Sequence, residues 1–177
     1  GLPALRSAVA QGWKNPHSAI RMALGRILLL FFWTASAALS AESTETVSAL
    51  ASLLRHSSVL VLGETHQQPE SPRLVADVVT AYLEKGSCLT VALEIASDQQ
   101  AALDAGVQGN NPLSEIVIHP IIDHPAYRDM LRQFRDLRQA GKCLTVRAVD
   151  SPKEELGPKD AWMAKEVHKL VASGPVL

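Results

Sequence analysis

Acidic and imidazole side chains follow three apolar runs of the sequence, at the point where each run ends. Gly63, Glu64 and His66 follow the first run, Glu94 follows the second, and Asp150 follows the third. Ligands of open α/β sheets bind at the carboxyl ends of the strands, so these groups are predicted to share one edge. Glu64 and His66 are two residues apart and would point to the same side of an extended chain. Carboxylates and an imidazole there could hold a divalent metal, with His66 and Glu94 as ligands, or act as a general acid–base set.

A second group of polar residues lies within ten positions: His119, Asp123, His124, Tyr127 and Arg128. Tyr127 and Arg128 are candidate ligand-binding residues, and Arg128 could face an anionic group early in a helix. Asp123 and His124 precede Pro125, so helix capping is the simpler interpretation of both, and a ligand role for one of the histidines is the alternative. Asp150 could likewise cap the turn before Pro152 instead of orienting His66 or a ligand. The charges at strand ends could also be merely solvated.

The elements that would position these residues alternate between strands and helices. Continuous apolar runs predict strands over 59–62, buried on both faces, and over 89–93 and 144–149. Helical spacing and terminal signals predict helices over 45–56, from Ser71-Pro72 to Gly86, from a capping box at Ser97 to Gly106, from Pro125 to Gly141, and over 159–172. Residues 107–124 are expected to be irregular, and the segment after Gly174 is predicted to enter a fourth strand. The order predicts an α/β fold, a mostly parallel sheet flanked by helices.

Composition excludes one class of partner. The sequence has 17 basic and 18 acidic residues, a net charge of −1, and only 5% aromatic residues. Without a basic field or a stacking surface, no nucleic-acid partner is expected.

The first 41 residues are predicted to be a leader and signal peptide. Ile27 to Trp33 is an apolar run after Arg26, followed by small residues that include Ala35-Ser36-Ala37. This run is too short to span a membrane, and its flanks fit a cleaved secretory signal. Met22 is the expected start, although an unusually long leader is the alternative. The domain would then cover 42–177 and be exported to the periplasm or cell envelope, with membrane contact only through the signal peptide.

Two cysteines open the second and third predicted strands in similar contexts, Gly86-Ser-Cys88 and Gly141-Lys-Cys143. Exported proteins can keep disulfides, so a bridge would form if these strands were adjacent. Because nothing in the sequence fixes that adjacency, the simpler prediction is two buried free thiols.

From about residue 57 onward the chain resembles the haem-binding uptake (ChaN-like) and Tiki/TraB superfamily, to which erythromycin esterases are related. The resemblance rests on Gly63-Glu64-Thr65-His66, Val91-Ala92-Leu93-Glu94, Asp98-Gln99-Gln100, the helix from Tyr127 to Phe134 and the strand ending at Asp150. It implies a site at Glu64, His66 and Glu94. It also implies a second Gly-x-x-His motif later in the domain, so the carboxyl-terminal part is expected to be missing from this sequence.

The activities of this superfamily give two functional hypotheses. The first is an exported protein that binds haem or iron, and the second is a metal-dependent or Glu/His-dependent hydrolase. Many ChaN-like members carry additional histidines where this chain has Gln67-Gln68-Pro69-Glu70, which counts against haem. The expected partner is haem or another small molecule, the cofactor is haem, iron or a divalent metal, and a homodimer is an open alternative to a monomer.

Overall fold

The computed structural model describes residues 44–152 and 158–177. The predicted signal peptide, Met22 and the small residues at 35–37 lie outside the described residues. Within the described ranges, no helix combines the length and apolar character that crossing a membrane requires.

The described chain contains five helices and two strands, which confirms the predicted α/β class. Helix α1 covers residues 44–53 of the described chain. The other elements are α2 (Glu70–Leu83), β1 (Leu89–Ala96), α3 (Gln100–Gln108), α4 (Pro125–Gln139), β2 (Leu144–Asp150) and α5 (Lys159–Val171). Short 3-10 turns cover Ser97–Gln99 and Leu113–Glu115.

Strands β1 and β2 pair in parallel, with Leu89 opposite Leu144 and Leu93 opposite Ala148. Two extended segments continue the sheet through isolated parallel bridges, since Val176 pairs with both Val59 and Thr90. The predicted β element after Gly174 is therefore present, and it lies between the first apolar run and β1.

Of the predicted strands, the first one, over residues 59–62, differs most from the structure. Residues 59–62 form one bridge, and the exposed fractions of Val59 and Val61 are 43% and 81%. Within the described residues this segment is bonded through its backbone on one side only, to Val176. An edge segment with an uncovered face is exposed, so the prediction of burial on both faces is wrong.

Helices α2 and α4 supply much of the core. Val78 and Val79 of α2 and Leu131 and Phe134 of α4 have no exposed surface. Pro125 stands in the first turn of α4, where its missing N–H costs no hydrogen bond. The predicted start and end of this helix are confirmed.

Helix α3 ends at a different glycine from the one predicted. It continues through Gly106 to Gln108, and Gly109 caps it with a φ of 85°. A Cβ at Gly106 would lie 3.0 Å from Leu113 and 3.2 Å from Ile116. Gly106 thus allows close packing inside the helix, while Gly109 provides the left-handed end.

The predicted side-chain caps are absent. Helix α2 begins at Glu70 after Pro69, and the turn at Ser97 begins after Ala96, without a side-chain capping bond at either place. Helix α4 likewise begins after His124 without a side-chain capping bond. Ser71, Ser97, Asp123 and His124 therefore do not cap these helices through their side chains, and those predictions are wrong.

Cys88 and Cys143 form a disulfide at the amino-terminal ends of β1 and β2. Both residues are exposed. The prediction of two buried free thiols is wrong, because strand pairing brings the two Cα atoms to 4.6 Å of one another.

Candidate functional site

An apolar groove of about 690 Å³ lies between the extended segments of the sheet and α5. Helix α5 has no fully buried residue, and its inner side chains Met163 and Val167 border this groove. The remaining apolar lining includes Leu60, Leu62, Val91, Met130 and Val149. Grooves of this size and character are typical of small-molecule sites.

Glu64 lines the groove and lies beside an imidazole that comes from another element. Its Oε1 is 3.6 Å from Nε2 of His124, and the two side chains are 19% and 11% exposed. This distance is too long for a hydrogen bond. Both atoms are buried without any hydrogen-bond partner. His124 is held at this place because it is the residue before α4, where Pro125 fixes the start of the helix.

Tyr127 lies one turn further along α4 and also lines the groove. Its ring meets the His124 ring edge-on, with centroids 6.3 Å apart, and its hydroxyl is buried without a partner. Burial raises the pKa of the Tyr127 hydroxyl far above its usual value, and the negative charges of Glu64 and Glu94 raise it further. Glu64, His124 and Tyr127 therefore each carry one buried side-chain polar atom without a hydrogen-bond partner, and we refer to these three residues as the buried polar group.

Glu94 and Asp150 are brought together by a residue that the sequence analysis did not consider. Lys159, the first residue of α5, donates to Glu94 Oε1 and lies 3.1 Å from Asp150 Oδ2. The hydrogen bond to Glu94 is the main cause that raises the pKa of Lys159, and burial partly opposes it. A lysine in the first turn of a helix is unfavourable with the helix dipole. That unusual placement was the only sequence signal for this contact.

His66 is not part of this polar group. It lies exposed in a turn where the Gln68 N–H donates to the Thr65 carbonyl and Gln67 has a φ of 62°. The turn ends the extended geometry on which the predicted pairing of Glu64 with His66 depended. Gly63 lines the groove, and a Cβ at this position would meet nothing within 4 Å. The protein's own packing therefore does not require glycine there.

Arg128 holds the segment that precedes its helix. It forms two bonds with the Asp123 carboxylate, of 2.7 and 2.8 Å, and donates to the carbonyls of Leu113 and Ile116. The hydrogen bond from Arg128 also lowers the pKa of Asp123. These contacts hold the segment that carries buried Ile116 and Ile122. Because the guanidinium is occupied by these bonds, we do not include Arg128 in the proposed ligand site.

Among residues 44–152 and 158–177, no three His, Cys, Asp or Glu side chains are grouped so that they could hold a metal ion. In particular, exposed His66 and ion-paired Glu94 do not form a metal site of this kind. No family model, curated protein or solved structure matches the chain. Membership of the haem-binding uptake and Tiki superfamily therefore stays a prediction.

Proposed function

We propose that this protein is an exported haem- or iron-binding protein whose ligand lies in the groove beside α5. The observation that carries the proposal is the apolar groove that Tyr127 lines, together with the buried, unpartnered hydroxyl of this residue. A porphyrin needs an apolar slot for its ring and a protein atom that can reach the iron. Tyrosine and histidine both serve as axial haem ligands in proteins.

The residues present fit such a ligand. The lining is mainly hydrophobic, and its polar side chains are those of Glu64, Glu94, Tyr127 and His168. Tyr127 would hold the iron, and Glu64 and Glu94 would favour its positive charge. Bound haem would supply an iron-centred chromophore, and the protein would act as a haem carrier.

The disulfide supports the proposed location. Cys88–Cys143 is exposed to solvent, and such bridges are typical of proteins in oxidising compartments. This agrees with export to the periplasm or cell envelope.

A haemin titration followed by Soret absorbance tests the proposal, with Tyr127→Phe as the main variant. We expect saturable binding in the full chain and at least about tenfold weaker binding in the variant, because the ligand oxygen is lost. Tyr82→Phe makes the same chemical change outside the groove and should bind like the wild type. Absence of a Soret shift in the wild type would refute the proposal.

The strand-end pattern of the sequence predicts that His66 supplies the imidazole of the site, so His66→Ala belongs in the same titration. Because His66 is exposed in a turn, we expect this variant to bind haemin normally. A large loss of haemin affinity in His66→Ala would place His66 in the site.

A Glu/His-dependent or metal-dependent hydrolase is the alternative proposal. It is favoured by the buried carboxylate–imidazole pair of Glu64 and His124, which could transfer protons to a substrate in the groove. Hydrolysis of chromogenic esters with apolar acyl groups, lost in Glu64→Gln, would support it. Wild-type protein that binds haemin and hydrolyses none of these esters would exclude this ester-hydrolase form of the alternative.

A further inference from the structure

We infer that helix α5 is a lid over the apolar groove and that Lys159 is the latch that holds this lid closed. The inference concerns how a ligand enters and leaves the groove. It requires that the groove takes up apolar molecules, but it does not require that the ligand is haem.

The first observation is the loose packing of α5. None of its residues is buried, whereas α2 and α4 each bury five residues. The inner side chains of α5, among them Met163 and Val167, border the groove. An element with so little buried surface separates from the domain at a low cost in free energy.

The second observation is that one residue supplies the polar attachment of this helix to the strands. Lys159 donates to Glu94 Oε1, and its Nζ lies 3.1 Å from Asp150 Oδ2. The two carboxylates belong to β1 and β2, and Glu94 also lines the groove. Among residues 44–152 and 158–177, no other side-chain hydrogen bond or ion pair joins α5 to either strand. Loss of the contacts of Lys159 would therefore release the amino-terminal end of the helix.

The carboxyl-terminal end of α5 is fixed in a different way. Residues 175–177 follow closely after the helix and form backbone hydrogen bonds on both sides, with Ser58 and Leu60 on one side and with Thr90 and Ala92 on the other. This end is therefore part of the sheet. A helix with one end in the sheet and the other end held by a lysine can swing away from the groove while the sheet stays intact.

The strength of the latch suits a contact that opens repeatedly. The side chains of Lys159 and Glu94 are 48% and 39% exposed, so water and salt screen their attraction. Asp150, whose side chain is 15% exposed, provides the less accessible partner. Such pairs stabilise the closed position of α5 without preventing its release.

The kinetics of ligand binding test this inference in the full chain. The probe is Nile red, an uncharged dye whose fluorescence increases in apolar surroundings, mixed with the protein in a stopped-flow instrument. We expect Lys159→Met to raise the association and dissociation rate constants together, by about fivefold, with little change in Kd. Both constants rise because the same opening of α5 precedes the entry and the exit of the dye.

Lys165→Met is the matched control, because it makes the same change at an exposed lysine of the same helix. This variant should have the rate constants of the wild type. Sodium chloride should raise both rate constants of the wild type and leave those of Lys159→Met unchanged, since the dye carries no charge. Unchanged rate constants in folded Lys159→Met would overturn the inference. A weaker Kd that comes from faster dissociation alone would also overturn it, because Lys159 would then only shape the wall of the groove.

Hydrogen exchange followed by mass spectrometry tests the lid without any ligand. Helix α5 has 13 residues, and a helix of this length is only marginally stable once it is detached. Its backbone amides should therefore exchange faster in Lys159→Met than in the wild type, while those of α4 should exchange at the same rate in both. Equal exchange of α5 in the two proteins would overturn the inference, and this measurement decides the matter even if Nile red does not bind.

The haemin titration keeps this inference separate from the proposed function. Faster exchange of α5 in Lys159→Met without haemin binding would support the lid and remove the haem proposal. Haemin binding with unchanged exchange of α5 would support the haem proposal and remove the lid.

Discussion

The buried hydroxyl of Tyr127 is the residue-scale feature that links stability to function. A buried polar group without a partner costs about 1–3 kcal/mol, and the surrounding residues could easily have accommodated a phenylalanine. A protein that keeps this hydroxyl gives up stability for it. Such a cost is typical of a group that is needed for a ligand.

Tyr127→Phe should therefore be more stable than the wild type by about 1 kcal/mol near neutral pH. The difference should grow above about pH 10, by up to about 1.4 kcal/mol per pH unit. There the unfolded tyrosine ionises while folded Tyr127, whose pKa is raised, keeps its proton, so the wild type loses stability. Urea unfolding across this pH range measures the effect, with Tyr82→Phe as the matched control. If the difference in unfolding free energy between the wild type and Tyr127→Phe does not change with pH, the prediction is wrong.

At the residue scale, the sequence predicted some site members and missed others. Glu64 and Glu94 follow from the rule that ligands bind at strand ends, and both line the groove. His66 does not join them, because the turn at Gln67 reverses the chain at that point. His124 and Lys159 depend on contacts between distant segments, and spacing along the sequence carries no information about such contacts.

At the element scale, Gln100 completes the edge of β2. Its amide oxygen accepts from the Ala148 N–H at 2.8 Å, and its amide nitrogen donates to the Val146 carbonyl at 3.2 Å. The side chain thus takes the place of a neighbouring strand. Sequence analysis assigned this residue to a capping box, because a local motif and a long-range contact can use the same residue types.

Gln100→Leu should lower the free energy of unfolding by about 1–3 kcal/mol. The substitution keeps the approximate size but leaves the half-buried N–H of Ala148 without its acceptor. Chemical denaturation measures the loss. Gln108→Leu replaces an exposed glutamine of the same helix and should change stability by no more than about 0.5 kcal/mol. Equal effects of the two substitutions would show that the Gln100 bonds contribute little.

The helices were predicted better than their ends and better than the segment between α3 and α4. Hydrophobic spacing identifies α4 because one face repeatedly contacts the core. Residues 110–124 lack such a period, yet Ile116, Ile118 and Ile122 are buried there. Arg128 makes this burial feasible by binding two carbonyls of the segment, and that arrangement is visible only after folding.

At the scale of the whole molecule, the order of the extended segments is 59–62, 175–177, β1 and β2. The alternation of elements predicted a parallel sheet but could not rank neighbours, since each crossover can lead to either side. The adjacency of β1 and β2 therefore stayed open, and with it the pairing of the cysteines. The bridge lies at the amino-terminal ends of these strands, while Asp150 lies at the carboxyl end of β2 and Glu94 near that of β1.

Reduction of Cys88–Cys143 should lower stability without altering the groove. The bridge joins residues 55 positions apart, and the chain-entropy model gives roughly 4 kcal/mol for a loop of that length. Urea unfolding with and without dithiothreitol measures the loss, and the exposed bond should be reduced without prior unfolding. The Cys88→Ala/Cys143→Ala double variant should be as stable as the reduced protein, and dithiothreitol should not change its stability.

The haemin affinity of the folded, reduced protein should stay unchanged, because the bridge and Tyr127 contact different parts of the sheet. Full thiol labelling with unchanged stability would mean that strand pairing alone holds β1 and β2 together.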